Sequence, residues 1–127
     1  MTRSLGEALS LLADKGNINL ENSISRGIEK ESLRVSKNNT ISSADHPPSL
    51  GSALTNKYIT TDFSEALLEL ITPTHSSVED ALKNLEEICK FVVEETSETI
   101  WPSSIPCKIE SEDSIRLADY GTSNSGL

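Results

Sequence analysis

Aromatic residues are nearly missing from this chain: Phe, Trp and Tyr together make up 4% of its 127 residues. With hydrophobic residues at only 35%, this predicts a thin core, or a piece of something larger. Basic residues are also scarce, 11 against 20 acidic, for a formal net charge of −9. A field of that sign repels nucleic-acid phosphates and anionic membranes, so neither is expected as a partner. It suits divalent cations, although an acidic surface also serves solubility alone. No apolar run approaches the length of a membrane span. MTRSLGEALSLLADKG has no signal-peptide layout, because Glu7 and Asp14 interrupt its apolar positions and a small-residue cleavage site is missing. Cys89 and Cys107 form neither a CxxC pair nor a zinc spacing, which predicts free thiols in a reducing, cytoplasmic setting. There is no Walker-type lysine loop, no GxGxxG and no GxSxG. His46 and His75 each stand without a partner at relay or metal-ligand spacing, and no side chain is assigned as catalytic.

What is present is one domain's worth of patterned chain. Arg3 to Lys15 reads as a helix with a Ser4/Glu7 capping box, an apolar face of Leu5, Ala8, Leu9 and Leu12, and Gly16 as the stop. Asn17 to Ser23 is a polar linker. A second helix is predicted from about Ser77 to Glu95, capped by Ser76 or Ser77. Its stripe is Val78, Leu82, Leu85, Cys89 and Val92, broadened by Ala81, Ile88 and Val93. Between the helices, SKNNT is a turn, Ile41 to Ser43 a short return strand, and HPPSLGSALTN a loop with room for one helical turn. WPSSIP is irregular chain between prolines.

Two stretches carry the acids. In ISRGIEKESLRV, read as a strand, Gly27, Glu29, Glu31, Leu33 and Val35 share one face, and Arg26, Ile28, Lys30, Ser32 and Arg34 the other. Glu29 and Glu31 at i, i+2 repel each other unless something positive lies near them. Gly27 leaves room for a ligand or another backbone. A helix is the alternative, with the acids on a solvated edge. In ITTDFSEALLELITP, Glu69 is embedded among Leu67, Leu68, Leu70 and Ile71. A carboxylate there is costly unless a cation, a donor or a water-filled cleft receives it. Two plainer readings stay open: Glu69 points to water from a one-sided strand, and Asp62 with Glu65 caps a single helical turn. If the two strands are neighbours, Glu29, Glu31, Asp62 and Glu69 converge on one sheet face. Hard oxygen donors without His or thiolate select Mg²⁺ or Mn²⁺, ions that keep waters and bridge to substrate phosphates. A nucleotide-using enzyme follows from that.

RGIEKESLRV, GSALTNKYITTDFSEALLELITP, WPSSIPC and LADYGTSNSG, in this order, closely resemble the N-terminal quarter or so of proteobacterial glutamate–cysteine ligases. The resemblance implies an α+β fold of the glutamine synthetase kind, an antiparallel sheet with flanking helices forming a cup for substrates and metal ions. It implies ATP-dependent joining of the L-glutamate γ-carboxylate to L-cysteine, the first step of glutathione synthesis. By motif match, Glu29, Asp62 and Glu69 resemble Mg²⁺ ligands on the glutamate and γ-phosphate side, and Glu31 a ligand of a further ion among the ATP phosphates. Phe63 falls where the family walls its cysteine pocket. The family continues with a basic residue where this chain has Leu127, so residues 1–127 are expected to be the truncated N-terminal portion of a single catalytic domain, incomplete in its sheet and inactive alone. An inactive remnant, or a small acidic Mg²⁺-binding or interaction domain, remains the alternative.

Overall fold

The computed structural model describes residues 4–14 and 24–120, except for the side chains of 12–14. Its elements are α1 (Leu5–Asp14), β1 (Glu29–Val35), β2 (Ile59–Thr61), β3 (Leu67–Ile71), α2 (Val78–Thr96) and β4 (Thr99–Ile100). Single 3₁₀ turns at Pro48–Leu50 and Glu112–Ser114 punctuate the loops. The four strands form one sheet in the order β2-β3-β1-β4, antiparallel at each pairing. The expected α+β, antiparallel architecture is therefore present, with α2 packed on one face.

Alternation decides what each face carries. Leu68 and Leu70 of β3 and Ile59 of β2 point toward α2, where they close on Leu50, Ile88 and Val92. Each such side chain, fully buried, contributes about 1.5–3 kcal/mol. The opposite face is divided. At one end, Val35 gathers Ile41, Ala66 and Cys107, with Leu33, Trp101 and Ile115 packed beside them. At the other end lie carboxylates.

The capping box of α1 forms, with the Ser4 N–H donating to Glu7 Oε2 at 2.9 Å and the Glu7 N–H to Ser4 Oγ at 3.3 Å. Its Leu5, Leu9 and Leu11 are exposed, so the predicted apolar face is not buried there. Lys15, Gly16, the Asn17 to Ser23 linker and the GTSNSGL end lie outside the described residues. Ser77 caps α2, its Oγ accepting from the Asp80 N–H at 3.0 Å. The predicted stripe of α2 needs rotating. Val78 and Leu82 are 48% and 54% exposed, whereas Ala81, Ile88 and Val92 are buried and Leu85 and Cys89 half-buried. Both apolar arcs satisfied a 3.6-residue period, and the sheet chose the one centred on Ile88. The return strand shrinks to a bridge between Val35 and Ile41. No helical turn forms over Asp62 to Glu65; the Leu67 N–H instead donates to Ser64 O in a tight turn leading into β3. Both described cysteines are free.

Candidate functional site

β1 and β3 run side by side, with Glu31 directly opposite Glu69 and Glu29 opposite Ile71. Directly opposed residues on antiparallel strands put their Cβ atoms about 4.5–5.5 Å apart on one face. β2 lies on the other side of β3, with Thr60 opposite Glu69, so Asp62, two residues on from Thr60, emerges toward the same face. The sheet thus brings together the four acids singled out in the sequence. Lys30 and Arg34, the basic residues interleaved with Glu29 and Glu31, project to the α2 side instead. Lys30 Nζ bonds Ser32 Oγ there, and Arg34 joins Glu98. Among the described residues, none of the four carboxylates takes part in an ion pair or a side-chain hydrogen bond.

The electrostatic consequence falls on Glu69. Burial first, then the neighbouring charges of Glu29, Asp62 and Glu31, hold its carboxyl above the usual range. All three neighbours raise it, so the face accumulates negative charge without internal relief. Tyr120, which the sequence reading left without a role, stands against this face. Its hydroxyl donates to the carbonyls of Thr61 and Asp62 at 2.8 and 2.7 Å. Burial pushes its phenol up, and Asp62, Glu65 and Glu69 push it further, so it remains a neutral donor. Phe63 is 70% exposed beside Asp62, a large apolar ring at the margin of the acidic patch. Gly27 meets a backbone rather than open space, since a Cβ there would touch Thr72 O at 3.4 Å.

The donor set matches a hard cation in kind, being oxygen only and anionic. In arrangement it is open: among the described residues, no group of three or more His, Cys, Asp or Glu is placed to hold a metal ion unaided. An ion on this face would need further oxygens from water or from a bound phosphate or carboxylate. The chemistry available is therefore charge compensation for an anionic ligand, shared between sheet and ligand.

Behind the patch lies a second constellation that the sequence did not announce. Glu65, 2% exposed, accepts from the His46 N–H at 2.8 Å and the Asp119 N–H at 2.5 Å. Its carbonyl accepts from Arg34 Nη2 at 2.8 Å. His46 bonds through Nε2 to Gly51 O at 3.0 Å and through Nδ1 to Thr61 Oγ1 at 2.6 Å. A carbonyl only accepts, so Nε2 carries the proton and Nδ1 accepts. Burial lowers the His46 pKa, the Gly51 carbonyl opposing and Arg34 assisting. His46 is thus a neutral structural cross-link. His75 N–H and C=O bond the backbone of Arg26 in an isolated bridge. A long-range contact such as Glu65 with Asp119 leaves no local sequence signal.

Comparison with known proteins gives the family. A family model described as glutamate-cysteine ligase matches residues 9–127. A glutamate–cysteine ligase of Pseudoalteromonas translucida is 47% identical over 126 residues, 98% of this chain but 24% of the relative. One from Hahella chejuensis is 51% identical over 105 residues, 81% of this chain and 20% of the relative. Among solved structures, a glutamate–cysteine ligase of Francisella tularensis in complex with AMP superposes with a TM-score of 0.75 at 42% identity, covering 80% of this chain and 21% of that one. A bifunctional glutathione synthetase from Pasteurella multocida gives 0.69 at 34% identity, covering 93% and 16%. The chain spans about a quarter of the length of the first of these relatives and less of the others. With the family model matching residues 9–127 and a relative 47% identical over 98% of this chain, the chain belongs to the glutamate–cysteine ligase family.

Proposed function

We propose that residues 1–127 form the N-terminal portion of the catalytic domain of an ATP-dependent glutamate–cysteine ligase, in a glutamine synthetase-like fold whose remaining strands lie in a longer chain. One observation carries this: four carboxylates, unpaired within the described residues, share one sheet face in a member of this family. The reaction joins the γ-carboxylate of L-glutamate to the amine of L-cysteine through a γ-glutamyl phosphate, in the cytosol. ATP donates its γ-phosphoryl group to the glutamate γ-carboxylate; the cysteine amine then attacks the acyl carbon and phosphate leaves. Mg²⁺ or Mn²⁺ bound here supplies positive charge to the transferring phosphoryl group.

The chain's own residues prepare that step. Glu29, Asp62 and Glu69 would hold a cation on the glutamate and γ-phosphate side, and Glu31 would serve a further ion toward the other phosphates. Since no group of three or more among the described residues is placed to hold a metal ion unaided, water or a bound phosphate would have to supply the remaining oxygens. An anionic face with no ion-paired cation among the described residues would repel nucleotide alone and favour the metal-loaded form. Phe63 walls the cysteine side. The Francisella structure holds an adenine nucleotide, which supports ATP as co-substrate.

The test is Glu69→Gln in the full-length ligase. Turnover is expected to fall on the order of a hundredfold or more, as when a charge-stabilising group is removed from a transition state. The circular dichroism melt should remain cooperative. A folded Glu69→Gln protein that keeps activity within about twofold of its parent, outside the range expected for such a group, overturns the assignment.

A further inference from the structure

The stretch Arg116–Tyr120 is sewn along the turn that carries Asp62 and Phe63. The Glu65 N–H donates to Arg116 O at 2.9 Å, Ser64 bridges Leu117, and the Ala118 N–H donates to Phe63 O at 3.2 Å. The Asp119 N–H then donates to the Glu65 carboxylate, and the Tyr120 hydroxyl closes on Thr61 and Asp62 carbonyls. These bonds tie the turn to chain more than 50 residues away. Glu65 is the central knot: its other carboxylate oxygen holds the 42–46 loop through the His46 N–H, and its carbonyl is gripped by buried Arg34. Without this strap, the turn between β2 and β3 would be left with the Asp62 N–H bond to Leu67 O at 3.0 Å and the Leu67 N–H bond to Ser64 O at 2.9 Å, and the repulsion between Asp62 and Glu69 would act on a looser link.

We infer that Glu65 is a positioning residue: its buried carboxylate, acting through the Arg116–Tyr120 strap, fixes Asp62 against Glu69 and so sets how tightly the acidic face holds a divalent cation. The inference rests on the proposed cation-binding role of this face. Glu65 itself is directed into the protein and touches no ligand. Two N–H groups require two acceptor oxygens. A Gln at this position offers one oxygen and one NH₂, so one backbone donor would face another donor. Tyr120→Phe is milder, removing only the hydroxyl that holds the two carbonyls.

The experiment uses the full-length ligase with Mn²⁺ as the probe, following free Mn²⁺ by electron paramagnetic resonance and, separately, the Mg²⁺ concentration for half-maximal turnover. Glu65→Gln is expected to weaken Mn²⁺ binding and raise the Mg²⁺ requirement by roughly tenfold, the low end of the effect of outer-shell partners on metal sites. Saturating Mg²⁺ should recover most of the turnover. Tyr120→Phe should shift both quantities in the same direction by a smaller factor. A folded Glu65→Gln protein with parental Mn²⁺ affinity and parental Mg²⁺ requirement overturns the inference. If Glu65→Gln does not fold, Tyr120→Phe decides: a shift in Mn²⁺ affinity supports the strap, and parental affinity sinks it. Glu69→Gln is the control that separates the two levels. Loss of Mn²⁺ binding there, with both strap variants unchanged, leaves the cation site standing and removes only the positioning role.

Discussion

On the helix-side face of the sheet, Arg34 is 1% exposed, with Glu98 Oε2 at 2.5 Å and the carbonyls of Ala44, Asp45 and Glu65 between 2.7 and 3.1 Å. Glu98 in turn accepts from Ser42 Oγ at 2.6 Å. On the other face, Glu31 stands directly opposite Glu69 with no cation beside them among the described residues. The same strand, β1, supplies both charge types by simple alternation. A charge compensated inside the chain serves the fold, since a buried ion left alone is prohibitively costly. A cluster of like charges left uncompensated lowers the stability of the free protein, and under the proposed function it is where a cation would bind. Where a protein neutralises its charges and where it declines to do so separates scaffold from site.

The comparison can be broken first at Glu98. Glu98→Ala strands the Arg34 guanidinium, and the loss is expected to be about 3–5 kcal/mol, read as a drop in the urea midpoint at unchanged m-value. A loss below about 1 kcal/mol, the scale of a surface ion pair, would mean that the carbonyls alone satisfy Arg34. Leu70→Ala, on the same face and fully buried against α2, should cost about 2–5 kcal/mol. On the acidic face the sign reverses. In the absence of divalent cations, Glu69→Gln should raise stability by about 0.2–1 kcal/mol, because it removes a like-charge pair directly across the ladder. Destabilisation by that variant would show that Glu69 has an unseen favourable partner.

The smallest effect is the pH response, and it runs oppositely on the two faces. Glu69 has its folded pKa raised, so the folded state binds the extra proton. Its contribution to stability is complete below the unfolded carboxyl value near 4.5 and is lost as pH rises through the raised value. His46 has its folded pKa lowered, so the unfolded state binds more protons between that value and 6.5. Its contribution is therefore lost progressively as pH falls from 6.5 through that lowered value. Between pH 7 and 5, His46→Asn should remove the part of the melting-temperature profile that falls with acid, while Glu69→Gln should remove the part that rises with acid.

Much of this was legible because strand alternation is a local rule. Once ISRGIEKESLRV and ITTDFSEALLELITP are read as strands, the face shared by Glu29, Glu31, Leu33 and Val35, and that shared by Leu67, Glu69 and Ile71, follow without further information. The resemblance placed Asp62 and Phe63 in the same neighbourhood. The stripe of α2 was legible only to within a rotation, since Val78 and Leu82 obey the same period as Ala81, Leu85 and Ile88. The spacing of Asp62 and Glu65 left a helical-turn cap open for Glu65, and nothing nearby in sequence reveals Asp119.

The amino-acid sequence by itself determined the two acid-bearing stretches, the Ser4/Glu7 capping box, the long helix to within one cap residue and the family, since each rests on spacing over a few residues or on motifs in order. Only the tertiary structure decided that Glu31 opposes Glu69, that Lys30 and Arg34 serve the far face, and that Glu65 ties the strap of Arg116–Tyr120 to the Asp62 turn. Those outcomes depend on which strands become neighbours and in what register, and pairing across tens of residues is chosen by burial of Leu68, Leu70 and Ile59 beneath α2 rather than by any local preference.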